Sequence, residues 1–286
     1  MTAILNLAAR SELAWLAALM ADIRAAGLAR EPLLVGAMAR DLLLHYAHDV
    51  GILRTTEDVD LAIAVGDWAE FSAVREALIC HGQFEPHRNV LHKLRHKVCG
   101  WIDMIPFGAI EEPDGRIVWP PPDGGAMSLL GYGAADAAAV TVALPDGQSV
   151  RVVALPMLAV LKVFAWLDRH LAQPRKDASD LILVLRHFIA AGNTERFYAE
   201  ASHLLGPDFD FEIASAWLVG RDARKLLLAY GGNAPSVLAQ LSAILRRESD
   251  PDGALKLVGQ VSGIEPENTR RLLAAFERGI TGFETP

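Results

Sequence analysis

Apolar and polar positions alternate over short runs in the first half of the chain and recur every three to four residues in the second. Period-two runs at 32–36 (PLLVG), 57–65 (EDVDLAIAV), 92–98 (HKLRHKV), 101–107 (WIDMIPF), 138–144 (AAVTVAL) and 149–155 (SVRVVAL) predict strands. Helical spacing among them predicts helices at about 10–27, 37–48 and 67–81, the first capped near Ser11. Pro145-Asp146-Gly147 separates the last two strand runs, a hairpin signal with glycine available for positive φ. Beyond residue 155 the pattern is helical nearly to the end. Pro156 is suited to a first helical turn, and Leu181, Val184, Leu185 and Phe188 make an apolar stripe on the next helix. The proline- and glycine-rich 119–127 (WPPPDGGAM) is a loop inside the first region, because strands resume after it. The pattern predicts an α/β domain with an N-terminal helix over 1–154 and a helical domain over 155–286.

A core of that size is available: the 286 residues are 52% hydrophobic and 22% charged. No apolar run reaches the ~18 residues of a membrane span, and no basic segment precedes an apolar stretch at the N-terminus, so neither a membrane partner nor a signal peptide is expected. Two cysteines, Cys80 and Cys99, make a disulfide framework unexpected and place the chain in the cytoplasm. Both are expected to be ordinary buried or half-buried residues. The net charge of −8 argues against broad, nonspecific nucleic-acid binding, while leaving room for a local basic groove.

One strand breaks its own pattern. Asp58 and Asp60 lie two apart within an apolar run, so they share a face, their backbones roughly 7 Å apart. Val59, Leu61, Ile63 and Val65 take the opposite face, and Ala62 and Ala64 continue the acidic one with little bulk. Adjacent carboxylates repel unless a cation lies between them, and magnesium prefers such oxygen donors. An exposed edge strand with two solvated acids is the other reading of the pair. Upstream, a strand, a Gly36-Ala37 corner and a helix offer close backbone approach and free N–H groups to phosphate. Downstream, Asp103 lies mid-strand between Ile102 and Met104, as a third ligand or a buried hydrogen-bonded residue.

Several basic residues are also candidates. Lys93, Arg95 and Lys97 alternate and are expected to share one strand face, as an acceptor- or triphosphate-binding stripe or a solvated edge. Lys162, Trp166 and Arg169 share a helix face, and a lysine in so apolar a run requires a partner or water. Asp177 and Asp180 lie one turn apart. Capping is favoured for Asp177 and a site-lining role for Asp180. Arg54 and Thr56, just before the acidic strand, are candidates for phosphate contact. Arg40 and Asp41 are placed to pair locally. His45, His48, His87, His92 and His96 have no metal-site spacing.

A strand–Gly–helix, then Asp-Val-Asp, then a lone Asp on a later strand resembles the DNA polymerase β-like nucleotidyltransferase superfamily. LLVGAMARDLLL, RTTEDVDLAIAVGDW, IDMIPFGAIE, WPP, LLGYGAAD and VLKVFAWLDR…RKDASDL succeed one another as in the AbiEii-type abortive-infection toxin nucleotidyltransferases, over about residues 30–190. Residues 195–286 carry no such resemblance. The chain departs from the superfamily at Gly36-Ala37, where Gly-Gly or Gly-Ser is usual, and in a longer interval from that corner to Asp58. The resemblance implies an α/β (α+β) polymerase β-like core with a C-terminal helical domain that closes the cleft. It implies magnesium-dependent transfer of a nucleotidyl group from a nucleoside triphosphate to a hydroxyl, with Asp58, Asp60 and Asp103 holding two Mg²⁺ ions. Gly36, Ala37, Arg54, Thr56, Lys162 and Asp180 would bind the nucleotide, and Lys93, Arg95 and Lys97 the acceptor. The acceptor would be tRNA or a protein, and a cognate antitoxin the partner. Competing readings are a non-catalytic nucleotide-sensing or protein-binding module with a degenerate site, and a small-molecule (antibiotic) nucleotidyltransferase.

Overall fold

The computed structural model of the chain describes residues 4–51, 58–121, 124–261 and 263–285. By its contacts the chain divides into two compact units, Met1–Ala154 and Leu155–Pro286.

The first unit contains β1 (Ile4–Asn6), α1 (Ala14–Ala25), β2 (Leu33–Val35), α2 (Gly36–Asp41), β3 (Asp58–Ala64), α3 (Trp68–Cys80), β4 (Phe84–Pro86), β5 (Lys93–His96), β6 (Gly100–Phe107), β7 (Arg116–Val118), β8 (Ala126–Ser128), α4 (Tyr132–Ala137), β9 (Val140–Ala143) and β10 (Ser149–Val152). Eight strands form one mixed sheet in the order β1-β9-β10-β2-β3-β6-β5-β4, and β7 and β8 make a separate ribbon, with Ala126 and Met127, expected in the 119–127 loop, belonging to β8. β3 and β6 run parallel at its centre, with β2 antiparallel to β3 and β5 antiparallel to β6. Burial of Val59, Leu61, Ile63 and Val65 fixes the register of β3, since a slip of one residue would turn the apolar set outward.

Local signals explain most boundaries. The Asp67 side chain accepts the Glu70 N–H and starts α3. The hairpin of β9 and β10 closes through Asp146 and Gly147, both at positive φ. Two expectations are corrected and one is met. Ser11 opens a 3₁₀ turn rather than capping a helix, and α1 begins three residues later without a side-chain cap. The helix expected over 37–48 is present, running from Gly36 to His48 with a π-helical stretch at Leu42–Tyr46 inside it. Cys80 is exposed, and only Cys99 is half-buried.

The second unit is all helical: α5 (Leu155–Arg169), α6 (Lys176–His187), α7 (Thr194–Glu200), α8 (Phe211–Tyr230), α9 (Ala234–Ser249), α10 (Lys256–Gln260) and α11 (Pro266–Thr281). α8 and α11 meet at Gly220 and Gly279. A Cβ on Gly220 would fall 2.2 Å from the Phe276 carbonyl, and one on Gly279 2.3 Å from that of Trp217, so only glycine permits backbones this close. No helix among the described residues is long and apolar enough to cross a membrane.

Candidate active site

Strand pairing turns the acidic motif into a lattice. Asp60 is in register with Asp103 on β6, and Asp103 with Lys93 on β5. The neighbouring row is Asp58, Trp101 and Arg95. Partners in register share a face of the sheet. Six residues from three segments of sequence therefore stand together, the acids on β3 and β6 and the bases on β5. Asp58, Asp60 and Asp103 are all half-buried. Trp101, 37% exposed, gives no sign in the sequence of being a site residue, because there it reads as one more apolar strand position. Its place beside Asp58 comes only from the β3–β6 register.

Gly36 serves this face in a way different from the one expected. Val35 is in register with Asp60, and Gly36 turns the chain at φ +69° into α2. A Cβ on Gly36 would lie 1.9 Å from Asp60 Oδ2. The space that glycine leaves is taken by the Asp60 carboxylate, and Ala37 is buried. Arg40 and Asp41 do pair locally, Arg40 Nε donating to Asp41 Oδ1 at 2.8 Å, with both side chains buried.

Asp103 is engaged by a cation of the protein itself. Lys93 Nζ lies 3.1 Å from Asp103 Oδ1, with the two side chains 25% and 19% exposed. The same ammonium lies 5.7 Å from the centre of the Trp101 ring, whose other neighbour is His87 at 5.3 Å. Arg95 is exposed on the same face. The three-residue basic stripe is corrected at Lys97, which lies past the end of β5, its N–H bonded to the Gln83 carbonyl. Arg54 and Thr56 fall outside the described residues.

Lys162 and Asp180 belong to the helical unit. Lys162 Nζ donates to Asp180 at 2.6 Å and to Asp177 at 3.0 Å, and all three side chains are buried. Arg169 Nε donates to the other oxygen of Asp177 at 2.7 Å. Burial pushes the Lys162 ammonium down, but the two carboxylates more than offset it and hold its pKa above the ordinary value. Burial likewise opposes ionisation of Asp177, and Lys162 and Arg169 nonetheless hold it well below the usual carboxylate range. The partner that the apolar helix required is thus supplied by α6. Asp177, favoured as a cap, makes no capping bond and joins this cluster instead. On the same face of α5, Trp166 Nε1 donates to Gln260 at 2.7 Å.

A second polar grouping leaves no signal in the sequence, because its members lie far apart. Asp22 on α1 receives His96 Nε2 at 2.9 Å and His81 Nε2 at 3.2 Å, and His96 Nδ1 lies 3.1 Å from Cys99 Sγ. The order Cys–His–Asp suggests a nucleophile, but the chemistry does not support one. Burial pushes the Cys99 thiol up to about 12, and its Sγ donates to the Trp15 carbonyl at 3.2 Å. The unit also has a cavity of about 210 Å³, with Arg24, Glu31, Ser149 and Arg151 in its wall, and none of the lattice residues lines it.

No family model, no curated protein and no solved structure matches the chain. The fit of a divalent ion therefore rests on the residues alone. Asp58 and Asp60 fit in kind, as hard oxygen donors on one face. Asp103 faces the Lys93 ammonium at ion-pair distance, but its buried Oδ1 makes no hydrogen bond among the described residues. Among the described residues, no group of three or more His, Cys, Asp or Glu side chains is placed to hold a metal ion.

Proposed function

We propose that the chain is a nucleotidyltransferase, moving a nucleotidyl group from a nucleoside triphosphate to an acceptor hydroxyl. The observation that carries this reading is the convergence at Asp60. Three separate sequence features, the Gly36 corner, the Asp58-Val59-Asp60 strand and Asp103, come to one place on three neighbouring strands. The likeness of the motif order to the AbiEii-type toxins supports the same chemistry, with tRNA or a protein as acceptor and an antitoxin as partner.

In this reading Asp58 and Asp60 would hold a divalent cation, which would supply positive charge to the triphosphate. Asp103 lies abreast of Asp60 and acts as the proton acceptor. The acceptor oxygen forms a bond to the α-phosphorus, the bond to pyrophosphate breaks, and the hydroxyl proton passes to the Asp103 carboxylate. Lys93 lies beside Asp103 as an opposite charge, and Arg95 and Trp101 offer charge and a flat apolar surface on the acceptor side.

A degenerate, nucleotide-sensing site is the second reading, favoured by the Lys93–Asp103 pair and by the lack of a three-ligand cluster among the described residues. One experiment separates them. The protein is incubated with Mg²⁺, each labelled nucleoside triphosphate, and total RNA with lysate. Transfer of label that needs Mg²⁺ and falls roughly 10²–10⁴-fold in Asp103→Asn, as for loss of a general base, supports catalysis. A thermal shift by nucleotide without transfer supports the sensor. Neither a shift nor transfer at millimolar nucleotide removes both.

A further inference from the structure

We infer that the cavity between α1, the segment leading into β2 and the start of β10 binds a small organic carboxylate, with Arg30 as its charged anchor. This goes beyond the nucleotidyltransferase reading and does not rest on it, since no residue of the acidic lattice lines the cavity. The floor is apolar: Met20, Ile23, Pro32 and Val150 are buried and Leu28 is half-buried. Apolar walls with no atoms opposite them forgo dispersion contacts, which a compact apolar body would restore. Arg24 braces the walls. Its Nε donates to Glu31 at 3.0 Å, its Nη1 to Gln148 at 2.5 Å and its Nη2 to the Ser149 carbonyl at 2.6 Å. One side chain thus ties α1 both to the segment before β2 and to β10.

Charge decides the other half of the ligand. Arg24, Arg30, Arg151 and Glu31 line the cavity. Arg24 is paired with Glu31 at 3.0 Å, and Arg151 donates to the Asp136 carboxylate at 2.6 Å and to the Asp136 carbonyl at 2.7 Å. Arg30 is exposed, and its side chain has no hydrogen-bond or ion-pair partner among the described residues. One guanidinium therefore keeps all of its donors, and a guanidinium engages a carboxylate through two parallel N–H···O bonds. An apolar cavity of about 150 Å³ accepts benzene, so one of about 210 Å³ takes a single ring or branched chain bearing one carboxyl group. An exposed arginine alone holds such an anion weakly, and the apolar floor supplies the rest of the binding.

The probe is benzoate, titrated with the full chain and followed by ligand-observed nuclear magnetic resonance. Saturable binding is expected. Benzamide, its neutral isostere, is expected to bind about tenfold more weakly or worse, as for loss of a hydrogen bond to a charged group. Inorganic phosphate, an anion with no apolar body, is expected to bind no better than benzamide. Arg30→Gln should weaken benzoate by about tenfold or more, with thermal melting to check that the variant is folded. No saturation at millimolar benzoate would overturn the inference. So would equal affinity for benzamide, phosphate binding as tight as that of benzoate, or unchanged benzoate affinity in folded Arg30→Gln. The benzamide and phosphate comparisons use the wild type, so they decide the matter even where the variant does not fold.

Discussion

At the scale of single residues, two lysines that each meet aspartate have different physics. Lys162 lies in an apolar helical run and Lys93 in a basic, alternating strand. Lys93 is a quarter exposed and faces the acidic lattice. The Lys162 side chain is 4% exposed and bridges two carboxylates that are themselves 1% exposed. Removing the shared cation from two buried acids is strongly destabilising, because their desolvation is no longer offset. Lys162→Met is accordingly expected to lower the stability of the protein by about 3–5 kcal/mol, read as a fall in the denaturation midpoint without nucleotide. A variant that melts normally yet loses nucleotide binding would show instead that Lys162 serves the ligand. The role of this residue is only half legible in the sequence. Its need for a partner comes from the apolar run, but the choice between a phosphate and Asp177 with Asp180 depends on how α6 packs on α5.

Elements of the first unit are tied together at Asp22, where α1 meets the end of α3 through His81 and the end of β5 through His96. Burial pushes the Asp22 carboxyl up, and the hydrogen bonds and charge of His96 and His81 more than offset it, leaving its pKa below the ordinary 3.8. A carboxyl depressed on folding contributes stability above its unfolded value and loses it as pH falls through the lower folded value. Asp22→Asn is therefore expected to lower stability at pH 5 and above. The difference from wild type should shrink as pH drops below about 4. Denaturation midpoints from pH 2 to 7 on both proteins check this. A gap that widens in acid would show that the link does not work through the ionised carboxylate. Elements are legible where period or punctuation is strong, as in β3, β6 and the β9–β10 hairpin. β1 is not legible, because three residues carry no period, and it exists only through pairing with β9. The π-helical turn after α2 likewise leaves no mark in the apolar spacing of Leu42, Leu43 and Leu44.

On the scale of the whole molecule, the division falls at 154/155, where strand-like alternation gives way to helical spacing. The helical unit has its own core, with Trp166, Leu181, Phe197, Trp217, Leu241 and Phe276 all nearly inaccessible. A unit with its own core is able to fold alone. Residues 155–286 expressed by themselves are expected to give a helical circular dichroism spectrum and one cooperative thermal transition. A broad, non-cooperative melt would show that the helical unit depends on the first.

The sequence by itself determined the mixed α/β character of residues 1–154, the helical character of residues 155–286, and the sharing of one face by Asp58 and Asp60. Each rests on local periodicity, which the backbone imposes on neighbouring side chains whatever else the chain does. Tertiary structure alone decided which segments lie beside β3. The pairing of β3 with β6 put Trp101 beside Asp58 and Asp103 beside Asp60, and the pairing of β5 with β6 put Lys93 on Asp103. It also filled the space at Gly36 with the Asp60 carboxylate. These are contacts between residues far apart in the chain. Strand order and register select them through burial of the whole apolar set, and no local pattern encodes that choice.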